Sequence, residues 1–284
     1  MPEPRISVAL CTYNGARYLT EQLESILRQT PPPDEIVICD DRSTEGTVAI
    51  IDTFIKEYPG IIRLFINEET LQVKRNFEKA LRLCTGDIIF LSDQDDIWKA
   101  NKVESISRYF KDHPEKNVVF TNAELLDNNS IIADTAWDKR SFNGEVKELC
   151  KDPAAMLRQL LLKWNIATGA TMALRKKALS RYLPFPDFQN YLHDHLLVLQ
   201  AAVENTLGFL DESLIIYRLH PEQQIGFRRR HVPPLLVPFY RVLQRAKKIM
   251  LAGKRRKEKQ MIAAYLKKFT KESFPAGKAV LESV

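Results

Sequence analysis

Residues 86–98 read GDIIFLSDQDDIW, an apolar run that stops abruptly at Asp93, Asp95 and Asp96 with only Gln94 between them. Three carboxylates within four positions repel one another, so water at a surface turn or a divalent cation must offset the repulsion. Which it is depends on what the preceding run forms. RISVALCTY (5–13), DEIVICDD (34–41) and IIRLFINE (61–68) are further apolar runs of strand length. Between them lie GARYLTEQLESILRQ (15–29), TEGTVAIIDTFIKEY (44–58, with Thr44 as candidate N-cap) and QVKRNFEKALRLC (72–84), with apolar residues at helical spacing. Strands alternating with such helices predict right-handed βαβ units and a parallel sheet, with GDIIFLSDQDD as its fourth strand. Both faces of that sheet are covered, which accounts for continuous rather than alternating apolar runs. Downstream, NVVFTNAELLD (117–127) reads as another strand and NIATGATMALRKKAL (165–179) as a strand entering a helix. YLHDHLLVLQAAVE (191–204) reads as a helix, and TLGFLDESLIIYRLH (206–220) as strand ending at His220.

A chain of 284 residues suffices for one large α/β domain with an appendage. No segment reaches the roughly 18 consecutive apolar residues a transmembrane helix needs, and the N-terminus carries no signal-peptide pattern. Cys11, Cys39, Cys84 and Cys150 lack metal-type spacing and read as reduced, mostly buried thiols of a cytoplasmic protein. Charge is unevenly distributed. Residues 228–284 hold 16 Lys/Arg and three Asp/Glu, a net of +13, whereas the 26 basic and 33 acidic residues before them net −7. The expected organisation is an acidic body, residues 1–227, and a strongly basic tail, residues 228–284, with HVPPLLVPFY (231–240) at the exit.

In open α/β sheets ligands bind beyond the C-terminal ends of the strands. Those ends here carry Thr12-Tyr13-Asn14, Asp40-Asp41, Asn67-Glu68 and Asp93-Gln94-Asp95-Asp96. One acidic pair alone reads as a cap or turn; acidic clusters ending two strands of one sheet point to a site. No GxGxxG follows the first strand and no Walker A sequence is present, so phosphates must be neutralised another way. A D-x-D at a strand end suits this, because Mg²⁺ or Mn²⁺ is held by one or two carboxylates and completes its shell with substrate phosphate oxygens.

SVALCTYNGARYLTEQLESILRQT, DEIVICDDRSTEGT and SDQDDIW together resemble the family 2 glycosyltransferases of GT-A fold. With the later HDH and YRLH, the chain is most similar to their bacterial rhamnosyltransferase-like branch, over residues 5–226. The resemblance implies a mostly parallel nucleotide-binding sheet flanked by helices; the basic helical extension that follows is read from the charge and apolar pattern of residues 228–284. It implies that Thr12, Tyr13 and Asn14 contact the base and ribose of a nucleotide, that Asp40 reads N3–H of uracil or thymine, and that Asp93 faces the ribose. Lys74 or Arg75 would sit near the base or diphosphate, and Asp95, with His220, would reach the metal. The family's usual glycines in two of these turns are Arg42 and Gln72 here. Asp194 matches the family's catalytic base; on its own it reads first as the cap of a helix starting at Leu196, and both roles can coexist. His220 and Arg218 also have structural readings, Arg218 as a buried ion pair. Trp98 and Trp164 suit either a sugar face or the core.

The function expected is an inverting, metal-dependent transfer of a sugar from a UDP- or dTDP-sugar, with dTDP-rhamnose first. The acceptor would be a bacterial surface polysaccharide or lipid-linked oligosaccharide, at the inner face of the cell membrane. The alternatives are a nucleotidyltransferase forming nucleotide-sugars, for which TYNGARY makes a poor glycine-rich loop, and a non-catalytic nucleotide-sugar-binding scaffold. In the tail, Val242, Ile249, Met250, Ile262, Tyr265 and Leu266 stand among many cations. This pattern suits an anionic membrane surface or a helix packed on the body. No recognised nucleic-acid motif accompanies it, so nucleic acid is not the expected partner.

Overall fold

The computed structural model describes residues 3–163, 165–223, 226, 256–270, 272 and 274–284. The chain begins β1 (Ile6–Thr12), α1 (Ala16–Leu27), β2 (Glu35–Asp40), α2 (Thr47–Glu57), β3 (Ile62–Ile66), α3 (Gln72–Leu83) and β4 (Ile88–Ser92). It continues with β5 (Ile97–Trp98), α4 (Lys102–Asp112), the hairpin β6 (Val118–Asp127) and β7 (Ser130–Thr135), and the short helices α5 (Ala136–Lys139), α6 (Gly144–Leu149) and α7 (Pro153–Arg158). Then come β8 (Met172–Arg175), α8 (Leu179–Tyr182), α9 (His193–Val203) and β9 (Leu207–Leu219). Residues 256–266 form helix α10, and α11 spans Pro275–Glu282.

Alternation within the buried strands sends their side chains to two sides of one sheet. Val8, Leu10, Ile36, Ile38, Ile88 and Phe90 join Leu19, Leu23, Ile51 and Val103 from α1, α2 and α4 in one apolar cluster. Ala9, Val37, Cys39, Ile89 and Leu91 join Phe77, Leu81, Leu196 and Leu199 from α3 and α9 in the other. The expected βαβ core is therefore present, and its strands are apolar throughout because helices cover both faces. Strand order is β3-β2-β1-β4-β8-β6-β9-β5, with β7 paired to β6. β3, β2, β1 and β4 are parallel to one another, and β6 is parallel to β9. β8 runs antiparallel to both β4 and β6, so the two parallel halves meet across one reversed strand. The register sets Thr12 beside Asp40 and Leu10 beside Ser92, bringing the acidic strand ends to one edge.

Two helix starts differ from expectation. α2 begins after Gly46, and Thr44 instead gives its backbone N–H to Asn14 Oδ1 at 2.8 Å. α9 begins at His193, with Leu192 as its N-cap residue and no cap from that side chain; Asp194 lies inside the first turn, where Oδ1 accepts the His195 N–H. Arg42 (φ +67°) and Gln72 (φ +61°) hold left-handed backbone, the conformation for which glycine is the usual residue. Trp98 is buried against Phe90 in the core, and Trp164 lies outside the described residues.

Part of the basic segment is docked on the body. Ile262, Leu266, Phe269, Val280 and Leu281 are buried in the cluster that contains α7 and α9. Gln200 donates to the Tyr265 hydroxyl at 2.9 Å, and Lys259 Nζ donates to the Leu162 carbonyl at 2.5 Å. Arg256, Lys257, Lys267 and Lys268 stay exposed. Val242, Ile249 and Met250 lie outside the described residues. No helix among the described residues is long and apolar enough to cross a membrane.

Candidate active site

A cavity of about 550 Å³ opens where β1 and β4 end, walled on its far side by residues 168–169, the start of α9 and the end of β9. Its near wall is built by Gln94, the residue between the aspartates. The Gln94 carboxamide accepts the Tyr13 N–H at 2.7 Å and donates to the Tyr13 carbonyl at 3.0 Å, locking the end of β1 to the end of β4. A Cβ at position 15 would lie 2.3 Å from Gln94 Oε1, so Gly15 makes room for this clamp. Asn14, at φ +49°, gives its N–H to Ser43 Oγ at 2.8 Å. Thr12, Tyr13 and Asn14 all line the cavity, as does Asp93.

Asp40 does not reach it. Its carboxylate accepts Thr12 Oγ1 at 2.7 Å, the Ser43 N–H at 2.8 Å and Ser43 Oγ at 2.6 Å, closing the DDRS turn. The adjacent Asp41 lines the cavity instead. Asp41 Oδ1 accepts Asn67 Nδ2 and the Leu71 N–H, while Oδ2 takes the Gln72 N–H and keeps further acceptor capacity.

Lys74 and Arg75 also point elsewhere. Lys74 Nζ donates to the carbonyls of Pro186 and Phe188, and Arg75 Nη1 donates to Glu78 and the Phe185 carbonyl. Both cations pin the 185–188 segment to α3, and the faces of α3 that line the cavity carry Val73, Asn76 and Phe77. Among the described residues, the lysines and arginines lining the cavity are Arg17 and Arg140. Neither was singled out by the sequence pattern.

The acidic end of β4 is under-satisfied. Asp95 Oδ2 faces His220 Nε2 at 2.8 Å, and the His220 ring packs on Tyr18 at 4.6 Å between centroids. Asp96, wholly buried, takes the Arg218 backbone N–H on Oδ1, whereas Oδ2 has no partner. Arg218 donates from Nε to the Asp95 carbonyl at 3.0 Å and pairs with Glu21, so it braces the turn rather than the cavity. Burial, reinforced by the charges of Asp95 and Asp194, pushes the Asp93 carboxyl up to about 7. Asp96 is likewise pushed well above the usual carboxylate range by burial and its two neighbours. Behind them stands Lys102, fully buried, with Nζ 3.7 Å from the Trp98 ring centroid and donating to the Ala170 carbonyl at 2.7 Å. Burial drives its ammonium well below the usual lysine value, while Asp96 and Asp93 oppose that shift. A lysine at the start of a helix reads as a surface residue, so nothing in the pattern reveals this internal cation.

Across the cavity stands Asp194, whose Oδ1 takes the His195 N–H at 2.7 Å and Oδ2 the Asn165 Nδ2 at 3.0 Å. His193 beside it is stacked on Phe77 at 3.9 Å, and burial lowers its imidazole to about 4, leaving it neutral.

Whether these residues suit a metal follows from the donor set. Among the described residues, no three His, Cys, Asp or Glu side chains converge to form a cage. Structural zinc needs such a cage. One carboxylate and one imidazole facing each other at a cavity wall instead fit Mg²⁺ or Mn²⁺, which keep waters and take phosphate oxygens.

An α/β sheet with an acid-ended central strand facing the Asp194 carboxylate across one cavity is the arrangement of a GT-A glycosyltransferase. The glycosyl transferase family 2 model matches residues 7–183, and the chain belongs to that family. The chain is similar to the uncharacterized glycosyltransferase alr2836 of Nostoc, 28% identical over 217 residues, covering 76% of this chain and 65% of that protein. It is also similar to the dTDP-rhamnosyl transferase RfbG of Shigella flexneri, 28% identical over 229 residues, covering 76% and 73%. Among solved structures, the mannosyltransferase PcManGT of Pyrobaculum calidifontis, in complex with GDP-Man and Mn²⁺, superposes with a TM-score of 0.56. It is 17% identical, with 100% of this chain and 80% of that one covered, a likeness of fold alone.

Proposed function

We propose that this chain is an inverting glycosyltransferase that moves one sugar from a pyrimidine nucleotide donor, dTDP-rhamnose first among candidates, to a growing bacterial polysaccharide or lipid-linked oligosaccharide. The observation that carries the reading is the opposition of Asp194 to Asp93 and Asp95 across a single cavity. Displacement with inversion needs a base on one side of the anomeric carbon and stabilisation of the leaving group on the other. Asp194 accepts the acceptor hydroxyl proton as its oxygen bonds the anomeric carbon and the bond to the diphosphate breaks. Asp95 and His220 would hold Mg²⁺ or Mn²⁺, which supplies charge stabilisation for the departing nucleoside diphosphate.

Thr12, Tyr13 and Asn14 form the nucleoside wall. Asp41, rather than Asp40, has the free lone pair that would accept a base N–H. Asp93 reaches the ribose in this reading, and Arg17, exposed and paired with Glu222, is a cation that lines the same cavity. The donor preference draws support from RfbG, a dTDP-rhamnosyl transferase by name.

The test is a thermal-shift screen of dTDP-, UDP- and GDP-sugars with Mn²⁺ and with EDTA. A donor at about 100 times its Kd stabilises by about 2.7 kcal/mol. The expected result is a rise with a pyrimidine donor that EDTA abolishes. No shift with any nucleotide-sugar would overturn the reading.

The cationic stretch before α10 would hold the enzyme to anionic lipid on the inner face of the cell membrane, since each basic residue near such a surface contributes about 1 kcal/mol. Replacing Arg241, Arg245, Lys247, Lys248, Lys254 and Arg255 by Gln should release the protein from phosphatidylglycerol vesicles. Undiminished vesicle binding by that variant would contradict the membrane role.

A further inference from the structure

Asn165 lies between two irregular turns, outside any helix or strand, and half-buried behind the cavity wall. Its side chain is fixed at both ends. Oδ1 accepts the Ala167 N–H at 3.0 Å, so Nδ2 is the atom turned toward Asp194, where it donates to Oδ2 at 3.0 Å. Its backbone carbonyl accepts Arg140 Nη1 at 3.1 Å, tying it to a residue that itself lines the cavity. On the far oxygen, Asp194 Oδ1 takes the N–H of His195, whose ring is in turn held by the Leu160 carbonyl at 2.9 Å and by stacking on Tyr191.

A carboxylate in the first turn of a helix ordinarily swings to cap the exposed N–H groups there. Asp194 does this with one oxygen only: Oδ1 takes the first-turn His195 N–H, while Oδ2 is held from outside the helix by Asn165 Nδ2. Two such bonds fix the carboxylate plane and leave acceptor sites on both oxygens open. A base must be held within a few tenths of an ångström of the proton it takes, and supporting hydrogen bonds are what hold it.

We propose that Asn165 is a positioning residue for sugar transfer, orienting Asp194 through Nδ2 while Arg140 braces the Asn165 backbone. The inference rests on the reading of Asp194 as the base.

The experiment measures donor hydrolysis with water as acceptor, using a panel of dTDP-, UDP- and GDP-sugars with Mn²⁺ and following the donor that the wild-type protein hydrolyses fastest. Three single variants, Asn165→Ala, Asn165→Asp and Asp194→Asn, are compared with the double variant Asn165→Ala/Asp194→Asn. Asn165→Ala should lower kcat by 10- to 100-fold, with donor Kd and Tm within experimental error of wild type. Asn165→Asp keeps the acceptor for the Ala167 N–H but turns a carboxylate on Asp194, so it should be slower than Asn165→Ala. In the Asp194→Asn background, Asn165→Ala should cost nothing further.

A residue that merely holds the loop would give the opposite order, with Asn165→Asp near wild type and Asn165→Ala impaired, and its loss would persist in the double variant. Either result overturns the positioning role while leaving Asp194 in place. Near-normal turnover by Asp194→Asn, or no hydrolysis of any donor by wild type, would instead overturn the reading on which the proposal stands.

Discussion

Glu35 and Asp93 stand at opposite edges of one sheet, Glu35 buried and Asp93 partly buried in the cavity wall. Glu35, at the start of β2, accepts Ser7 Oγ at 2.6 Å, Thr85 Oγ1 at 2.8 Å and Arg63 Nη1 at 2.9 Å, with the Thr85 N–H as a fourth donor. Burial pushes its carboxyl up, yet these donors outweigh it and pull the value to about 2. Asp93, beyond β4, is pushed up to about 7 by burial and by Asp95 and Asp194. The first is a finished structural bond. The second is an acid that Lys102 compensates only in part, which is what a binding edge looks like in electrostatic terms.

The largest effect that could break this contrast is kinetic. Asp194→Asn should retain donor binding and lose transfer by about 10³-fold, within the range for removal of a general base. Stopped or coupled nucleotide-release assays check it, and turnover close to wild type would dissolve the link between the two walls of the cavity.

On the structural edge, Glu35→Ala strands Ser7, Thr85 and Arg63 and should cost about 3 kcal/mol in urea unfolding. The pH dependence has a definite sign. The folded value lies below the unfolded one, so the contribution of Glu35 is present above about 4.5 and is lost as pH falls toward about 2.

Asp93 should behave in reverse. Its folded value lies above the unfolded 3.8, so the folded state holds the proton longer, and ligand-free stability falls as pH rises from about 4 to about 7. Asp93→Asn should flatten that slope and raise the ligand-free Tm at pH 8, while weakening donor binding. A lower Tm at pH 8 would show that Asp93 is as well compensated as Glu35.

The smallest effect concerns Lys102, a buried cation that lowers the charge cost of Asp93 and Asp96. Lys102→Met should move the midpoint of metal-dependent donor binding to higher pH by about one unit or less. A midpoint unmoved or lowered would separate Lys102 from the acidic cluster.

The half of the fold that carries these edges was legible because its strands are covered on both faces and stand out as unbroken apolar runs. β8 was legible as a strand, but its reversed direction was not, since direction depends on where the chain returns and not on the local pattern. Thr12 to Asn14, Asp93, Asp95, Asp194 and His220 converge at the cavity as the motifs implied. Asp41 rather than Asp40 lines the cavity because Thr12 and Ser43 hold the Asp40 carboxylate, and Lys74 and Arg75 donate to the 185–188 carbonyls. Arg140 and Asn165 sit in irregular segments without periodicity, where proximity is set by tertiary packing alone. Even the tail divides this way: Ile262 and Leu266 follow a helical face into the core.

Whether the β4 acids form a metal-dependent donor site is decided by calorimetry. UDP or dTDP should be titrated into wild type and Asp95→Ala protein, each in Mn²⁺ and in EDTA. Binding is expected only for wild type in Mn²⁺, with Asp95→Ala behaving like wild type in EDTA. Equal nucleotide affinity in all four titrations would contradict it.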